Sequence, residues 1–514
     1  MSKYQSNNAR IAKNTLALYA RTLISMLLSL YTSRIMLQAL GVDNYGINSV
    51  VGGIVGMSSL ITSTMSQAIG RYITCALGRG DKEKLRVMFS TSISAQIVLS
   101  VTAVVALEIA GVWFLNNVAN IPEGRMVAAN WVLQCSIITL VFGLISSPYG
   151  ALILAHERMT IYAYMTIVDV AIRLVICFII SAYGGDRLIL LAILQVFVSL
   201  SMRLFYGWYC ARHFDEAHYS PRVFDKSLLK ELTVFSGWNL LNNGAWVFAT
   251  QGVNMLINVF FGVAFNGARS IANSVNSAIQ SFVGNFTVAF SPQITKSYSS
   301  GDVTYSMRLA NRGTKFSWLL MYLFIVPVFM EAEMLLQLWL GQVPPMATLF
   351  LRFAMFESLA VTSGQNLFQL IQADGHVKQY TIRAAIVAGL IFPVAWVAYY
   401  LGAPVWVANA VFIVDFLCLN LVRFYILKKL MPFSVRQHLR ECILPCVVVS
   451  ITSFILPVVV SGMMHPGMLR FFVVCAVSVT WTAACAVVFG LTRHERQFMW
   501  SKAMMMYHKY LRRS

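Results

Sequence analysis

Apolar stretches of roughly twenty residues or more recur along almost the whole chain, separated only by short polar connections, and this recurrence restricts the fold more tightly than any other feature. A helix of that length crosses about 30 Å of hydrocarbon. The stretches number about fourteen, opening with spans at roughly 14–38 and 45–70 and closing with roughly 442–463 and 467–490. With 58% hydrophobic and 11% charged residues and a mean hydropathy of +0.68, a chain of 514 residues would not stay dispersed in water. Polar residues inside the stretches follow helical rather than alternating periods, which excludes a membrane β-barrel. The expected fold is an all-α membrane protein with no separate soluble domain.

The net charge of +19 invites a nucleic-acid reading, but its placement favours a membrane. If the N-terminus is inside, most of the Lys and Arg residues fall in cytoplasmic segments, and only Arg34, Arg125, Arg187 and Arg470 lie near outer loops. That pattern holds across the series only for an even number of spans, so both termini are expected to be cytoplasmic. Trp113, Trp131, Tyr183, Trp339 and Trp406 sit at expected outer span ends, as an interfacial aromatic belt requires. The first apolar run is too long for a signal-peptide core and is expected to be retained. The nine cysteines are scattered without a CxxC pair, so neither a disulfide framework nor a zinc site is indicated. No GxxxxGK[ST], GxSxG or HExxH sequence is present, so nucleotide hydrolysis and these enzyme chemistries are not expected, and no cofactor is implied.

A shift of 221 residues aligns the chain with itself. Gly41, Val42, Gly46 and Ser49 fall on Gly262, Val263, Gly267 and Ser270, and Gly80 and Asp81 fall on Gly301 and Asp302. Six spans therefore look duplicated. An even number gives both copies the same orientation, related by a pseudo-two-fold axis along the membrane normal. The expected organisation is an N-lobe at 1–212, a cytoplasmic interlobe linker at 213–230, a C-lobe at 231–430, two additional helices at 431–490 and a basic cytoplasmic tail at 491–514.

Polar stripes point to what the spans enclose. Asn266, Arg269, Asn273, Asn276 and Gln280 recur at steps of three and four, and Asn239, Asn243, Thr250, Asn254 and Asn258 stripe the preceding span. Such faces suit a hydrated cavity that bonds sugar hydroxyls, although amides and hydroxyls also join helices in dry bundles. Arg21, Arg173, Arg269 and Arg352 lie within spans, where each arginine costs about 3 kcal/mol without water or a partner. Asp169 lies one turn before Arg173 and is expected to neutralise it in a structural pair. Arg21 and Arg269 have no carboxylate at helical spacing, so they lead as ligands of an anionic group, with snorkelling to the interface as the other use of Arg269. Asp169, Glu357 and Asp415 are the candidates for ion coupling, and a static hydrogen-bonded anchor is the alternative for each.

The segments RIAKNTLALY at Arg10–Tyr19, LGVDNYGINSVVGG at Leu40–Gly53, LGRGD at Leu77–Asp81, SPQITKSYSSGD at Ser291–Asp302 and QADGHVKQY at Gln372–Tyr380 resemble the Wzx-type polysaccharide flippases, in the superfamily that also contains the MATE exporters. The resemblance implies two six-helix lobes around a central cavity in a bacterial inner membrane. It also implies an undecaprenyl-diphosphate-linked oligosaccharide as substrate, moved from the cytoplasmic to the periplasmic leaflet by alternating access. On that basis Arg21, Arg269 and Arg352 are expected to hold the diphosphate, with Glu357 as a counter-charge for Arg352, while Asn239, Asn243, Asn273, Asn276 and Gln280 face the sugar. Membrane lipids surround such a protein. Whether H+ or Na+ drives it, and whether a polysaccharide polymerase accompanies it, stay open. A MATE-like exporter of small molecules is the competing expectation, and a non-transporting scaffold is the third.

Overall fold

A computed structural model describes residues 2–57, 65, 69–70, 73, 77, 82–156, 158–220, 223–375, 377–493 and 495–497. Side chains are described over a narrower set, which leaves out 1–25 and 234–243. Every regular element among the described residues is helical. In chain order they are α1 (Ser2–Gly56), α2 (Lys82–Ala106), α3 (Val112–Asn117), α4 (Met126–Ala155), α5 (Met159–Ala182), α6 (Arg187–His213), α7 (Lys226–Phe261) and α8 (Val263–Ser299). There follow α9 (Val303–Met330), α10 (Ala332–Leu340), α11 (Ala347–Asp374), α12 (Val377–Tyr400), α13 (Val407–Leu430), α14 (Val435–His438), α15 (Leu444–Met463) and α16 (Met468–Cys485). Among the described residues, nine helical stretches are long and apolar enough to cross a membrane. The chain is a multi-pass helical membrane protein.

The breaks between helices are written in local chemistry. Inside α1 the ladder is interrupted at Gly41 (φ 78, ψ 169), and α7 ends at Gly262 (φ 93, ψ 177). Both glycines occupy a region that side-chain-bearing residues rarely enter, and they are the aligned pair of the 221-residue shift. Gly301 (φ 87) turns the chain before α9, and Asp302 then caps that helix by accepting from the Tyr305 amide at 2.9 Å. The matching Gly80–Asp81 pair lies outside the described residues. Asp186 caps α6 through the Leu188 and Ile189 amides, and Asp225 caps α7 through those of Ser227 and Leu228.

Packing divides the chain into two units. The first comprises Met1–Ser274, Pro344–Ala347 and Thr381–Val411. One of its cores gathers Ile47, Val51, Leu115, Leu133, Ile180 and Leu188, and another gathers Phe89, Leu152, Ile153 and Cys210. The second unit comprises Val275–Val343, Thr348–Tyr380 and Phe412–Ser514. There α9 packs on α15 and α16, with Leu319, Val449 and Cys485 at the contact.

A helix crossing in the first unit is closer than side chains permit. A Cβ on Gly46 would stand 2.0 Å from the Val263 carbonyl oxygen, and one on Gly267 would stand 3.1 Å from that of Val42. Each glycine therefore meets the carbonyl of the other's aligned valine. Small residues at such crossings let backbones approach, and the gain is dispersion that a larger side chain would forfeit.

Three of the arginines expected near outer loops are held firmly. Arg125 Nη1 lies 2.8 Å from Asp186 Oδ2, and its Nε donates to Asn44 at 2.8 Å. Arg187 donates to the Ala39 carbonyl at 2.9 Å, and Arg470 pairs with Glu331 at 2.8 Å. Burial raises the Asp186 carboxyl, but the Arg125 hydrogen bond and the two capping amides outweigh it and hold the group below the ordinary carboxylate value.

Candidate substrate cavity

Four helices of the first unit line a cavity of about 230 Å³. From α1 come Ser29, Thr32, Ser33 and Met36, then Tyr45, Asn48 and Ser49 beyond the Gly41 break. Val170, Arg173 and Ile176 come from α5, Leu191 and Gln195 from α6, and Ser270 from α8. Within each contributing helix these residues recur at helical spacing, which turns them to one side. The Thr32 and Ser33 hydroxyls donate to carbonyls four residues back, at 2.7 and 2.9 Å, so their oxygens remain able to accept. Tyr45 is buried, with Ser33, Ser270 and Ser274 near its hydroxyl. The wall is thus rich in hydroxyls and amides and carries one guanidinium.

That guanidinium is half-exposed. Arg173 Nε donates to Asp169 Oδ2 at 2.9 Å, with the two side chains 48% and 32% accessible. Asp169 itself lines a second cavity of about 270 Å³ with Ser146, Met165, Ser199, Met202 and Tyr206. The pair expected from the one-turn spacing is formed, and it stands between two open spaces.

The amide stripe at the junction of α7 and α8 has a different setting. Arg269 is 5% exposed and its Nη1 donates to Asn254 Oδ1 at 2.5 Å. Asn266 is buried and donates to the Asn254 carbonyl at 2.7 Å. Asn258, also buried, exchanges hydrogen bonds with the Asn120 backbone, accepting from its amide at 2.9 Å and donating to its carbonyl at 3.3 Å. These groups join helices and loops within the protein.

The remaining expected residues are distributed. Asn273 and Gln280 are half-buried, and Asn276 accepts from the Ser358 hydroxyl. Arg352 is half-buried, donates to the Phe329 carbonyl at 3.2 Å and lies over that ring at 5.3 Å. Glu357 is half-buried, whereas Asp415 is buried and its Oδ2 meets no hydrogen-bond donor among the described residues. Arg21, Asn239 and Asn243 lie outside the residues whose side chains are described. Sequence reading passed over Tyr45, Asn48 and Gln195. Their signal was present as polar residues one turn apart from other cavity-lining positions, but only the packing of four helices makes a wall of them.

The first unit is thus a helical bundle that encloses a cavity lined by hydroxyls, amides and one guanidinium. The profile of the family described as polysaccharide biosynthesis protein matches residues 11–297, more than half of the chain, and the chain belongs to that family. Among curated proteins, the Uncharacterized membrane protein EpsK of Bacillus subtilis (strain 168) is 23% identical over 328 residues. The match covers 62% of this chain and 63% of that relative, so the chain spans less than two thirds of the relative's length. Among solved structures, the lipid II flippase MurJ in an inward closed conformation superposes with a TM-score of 0.66 at 12% identity, covering 92% of this chain and 98% of that one. An inward-facing multidrug resistance MATE family transporter of the MOP superfamily gives 0.64 at 12% identity, over 80% and 96%. The fold is the one that these two solved structures, a flippase and a multidrug transporter, share.

Proposed function

We propose that the chain is a flippase that moves an undecaprenyl-diphosphate-linked oligosaccharide from the cytoplasmic to the periplasmic leaflet of a bacterial inner membrane, for surface polysaccharide synthesis. The cavity carries the reading: hydroxyl and amide groups on four helices offer the bonds a saccharide needs, and an accessible guanidinium among them suits a phosphate. Membership of the polysaccharide biosynthesis family supports the saccharide part. Two six-helix lobes at 1–212 and 231–430, with cytoplasmic termini, rock about the site to expose it on alternate sides. Arg21, Arg269 and Arg352 are further ligands for the diphosphate along its path. Arg269 reaches it only when its bond to Asn254 opens. Asp169, Glu357 and Asp415 are the carboxylates available to couple the cycle to H+ or Na+.

The test is a deletion strain: lipid-linked oligosaccharide accumulates on the cytoplasmic side, and the intact gene restores surface glycan while Asn48→Leu with Gln195→Leu, made at normal protein levels, does not. Normal glycan export in the deletion strain overturns the proposal. The fold shared with a multidrug transporter supports a second reading, a MATE-like ion-coupled exporter of small molecules. Altered drug resistance with unchanged glycan would select it.

A further inference from the structure

An arginine buried in a span for structural reasons is normally enclosed along with its counter-charge. Arg173 is not enclosed: it lines the hydroxyl-rich cavity, nearly half accessible, while its carboxylate partner opens onto a separate space. Asp186 offers a contrast in bonding, because that carboxylate accepts from two helix-start amides as well as from Arg125 and would leave the amides unsatisfied if it moved. A structural pair is built like that one. In the Asp169–Arg173 pair both side chains are accessible and the carboxylate caps no helix, so an incoming anion can take its place on the guanidinium.

We propose that Arg173 is an anion subsite for the phosphate end of the lipid-linked substrate, and that Asp169 is its internal placeholder, displaced toward the neighbouring cavity when the substrate phosphate arrives. This rests on the reading of the chain as a carrier of an anionic lipid. The placeholder has a physical necessity. When the cavity is empty, an uncompensated guanidinium within a span is costly, and a carboxylate one turn away removes the cost without filling the cavity. A phosphate carrying two or more negative charges then competes with a single carboxylate for the same paired N–H donors. The displaced carboxylate faces a space lined by the hydroxyls of Ser146, Ser199 and Tyr206 rather than hydrocarbon alone. Exchange of one anion for another keeps the guanidinium compensated throughout, and the displaced carboxylate is left to the polar groups of the second cavity.

The experiment uses the full chain in lipid nanodiscs and follows binding of inorganic pyrophosphate by calorimetry, with geranyl diphosphate as competitor. Asp169→Asn keeps the side-chain shape and removes the competing charge, and binding is expected to tighten about tenfold from the lost repulsion alone. Arg173→Ala abolishes binding in either background, with folding checked by an unchanged elution volume. Glu108→Gln, which alters a carboxylate bonded to Gln134 away from both cavities, leaves affinity unchanged. Geranyl diphosphate displaces pyrophosphate. Unchanged or weaker binding in Asp169→Asn, or binding that survives Arg173→Ala, overturns the proposal. Failure of geranyl diphosphate to compete overturns it in favour of a free-phosphate site. If pyrophosphate follows the expected pattern while the deletion strain exports glycan normally, the anion site stands and the flippase reading falls. If glycan export depends on the chain but Asp169→Asn does not tighten binding, this inference alone falls.

Discussion

Two arginines in the first unit lie near amides and hydroxyls, yet their surroundings differ. Arg269 is enclosed, bonded to Asn254 beside a cluster in which Asn258 and Asn266 are also buried. Arg173 faces a cavity and leans on a carboxylate that is itself accessible. The same chemistry therefore performs two tasks, holding helices together at one place and offering a surface at the other. A polar stripe in a membrane helix shows that lipid is not its neighbour. It does not show whether the neighbour is water, substrate or another helix.

The contrast is most severely tested at the crossing beside Arg269. Gly46→Ala places a methyl group 2.0 Å from a backbone oxygen, and because backbone cannot swing aside the two helices must part. Loss of folded protein, by more than about 4 kcal/mol, is expected in detergent unfolding assays. Gly267→Ala meets its nearest atom at 3.1 Å and should cost distinctly less. Equal yields of wild type and Gly46→Ala would show that the crossing is looser than described.

A buried charge in the second unit sharpens the scale. Lys315 is 3% exposed and its Nζ lies 2.5 Å from Glu495 Oε2. Lys315→Met should cost about 3–5 kcal/mol, because it strands a carboxylate that is largely buried. Burial raises that carboxyl, but hydrogen bonds from Lys315 and Thr492 prevail and hold it below the ordinary carboxylate value. A depressed value means that the contribution to stability is complete above the ordinary carboxylate range and is lost as pH falls through the depressed one. The melting temperature of the wild type should therefore drop more steeply on acidification below about pH 4.5 than that of Glu495→Gln. Parallel curves would remove Glu495 from the acid response.

Smaller effects separate the two arginines directly. Arg269→Ala should destabilise by about 1.5–3 kcal/mol, the scale of a charged hydrogen bond in a buried cluster. Arg173→Ala should cost less than about 1 kcal/mol in the same unfolding assay, yet stop transport. A large stability loss at Arg173 with transport intact would reverse their roles.

Much of the architecture was legible in the chain. The recurring apolar stretches gave an all-helical membrane bundle, the self-alignment singled out the Gly301–Asp302 pair at which the chain turns, and the one-turn spacing gave the Asp169–Arg173 ion pair. The 221-residue shift brought together Gly41 and Gly262, which prove to share a backbone conformation. The cavity was only half legible. Arg173 was placed within a span, but Tyr45, Asn48 and Gln195 are separated in sequence and become one wall only when α1, α5, α6 and α8 pack.

By itself the sequence determined the solvent of each helix, because the free energy of placing a residue in hydrocarbon or water is a local property summed along a stretch. It also determined where the backbone must turn, through residues with unusual torsional freedom or capping oxygens. Tertiary structure decided which polar faces became dry joints and which a cavity. That outcome depends on how closely helices approach, and contacts such as the one between Gly46 and Val263 fix the approach from positions far apart in the chain.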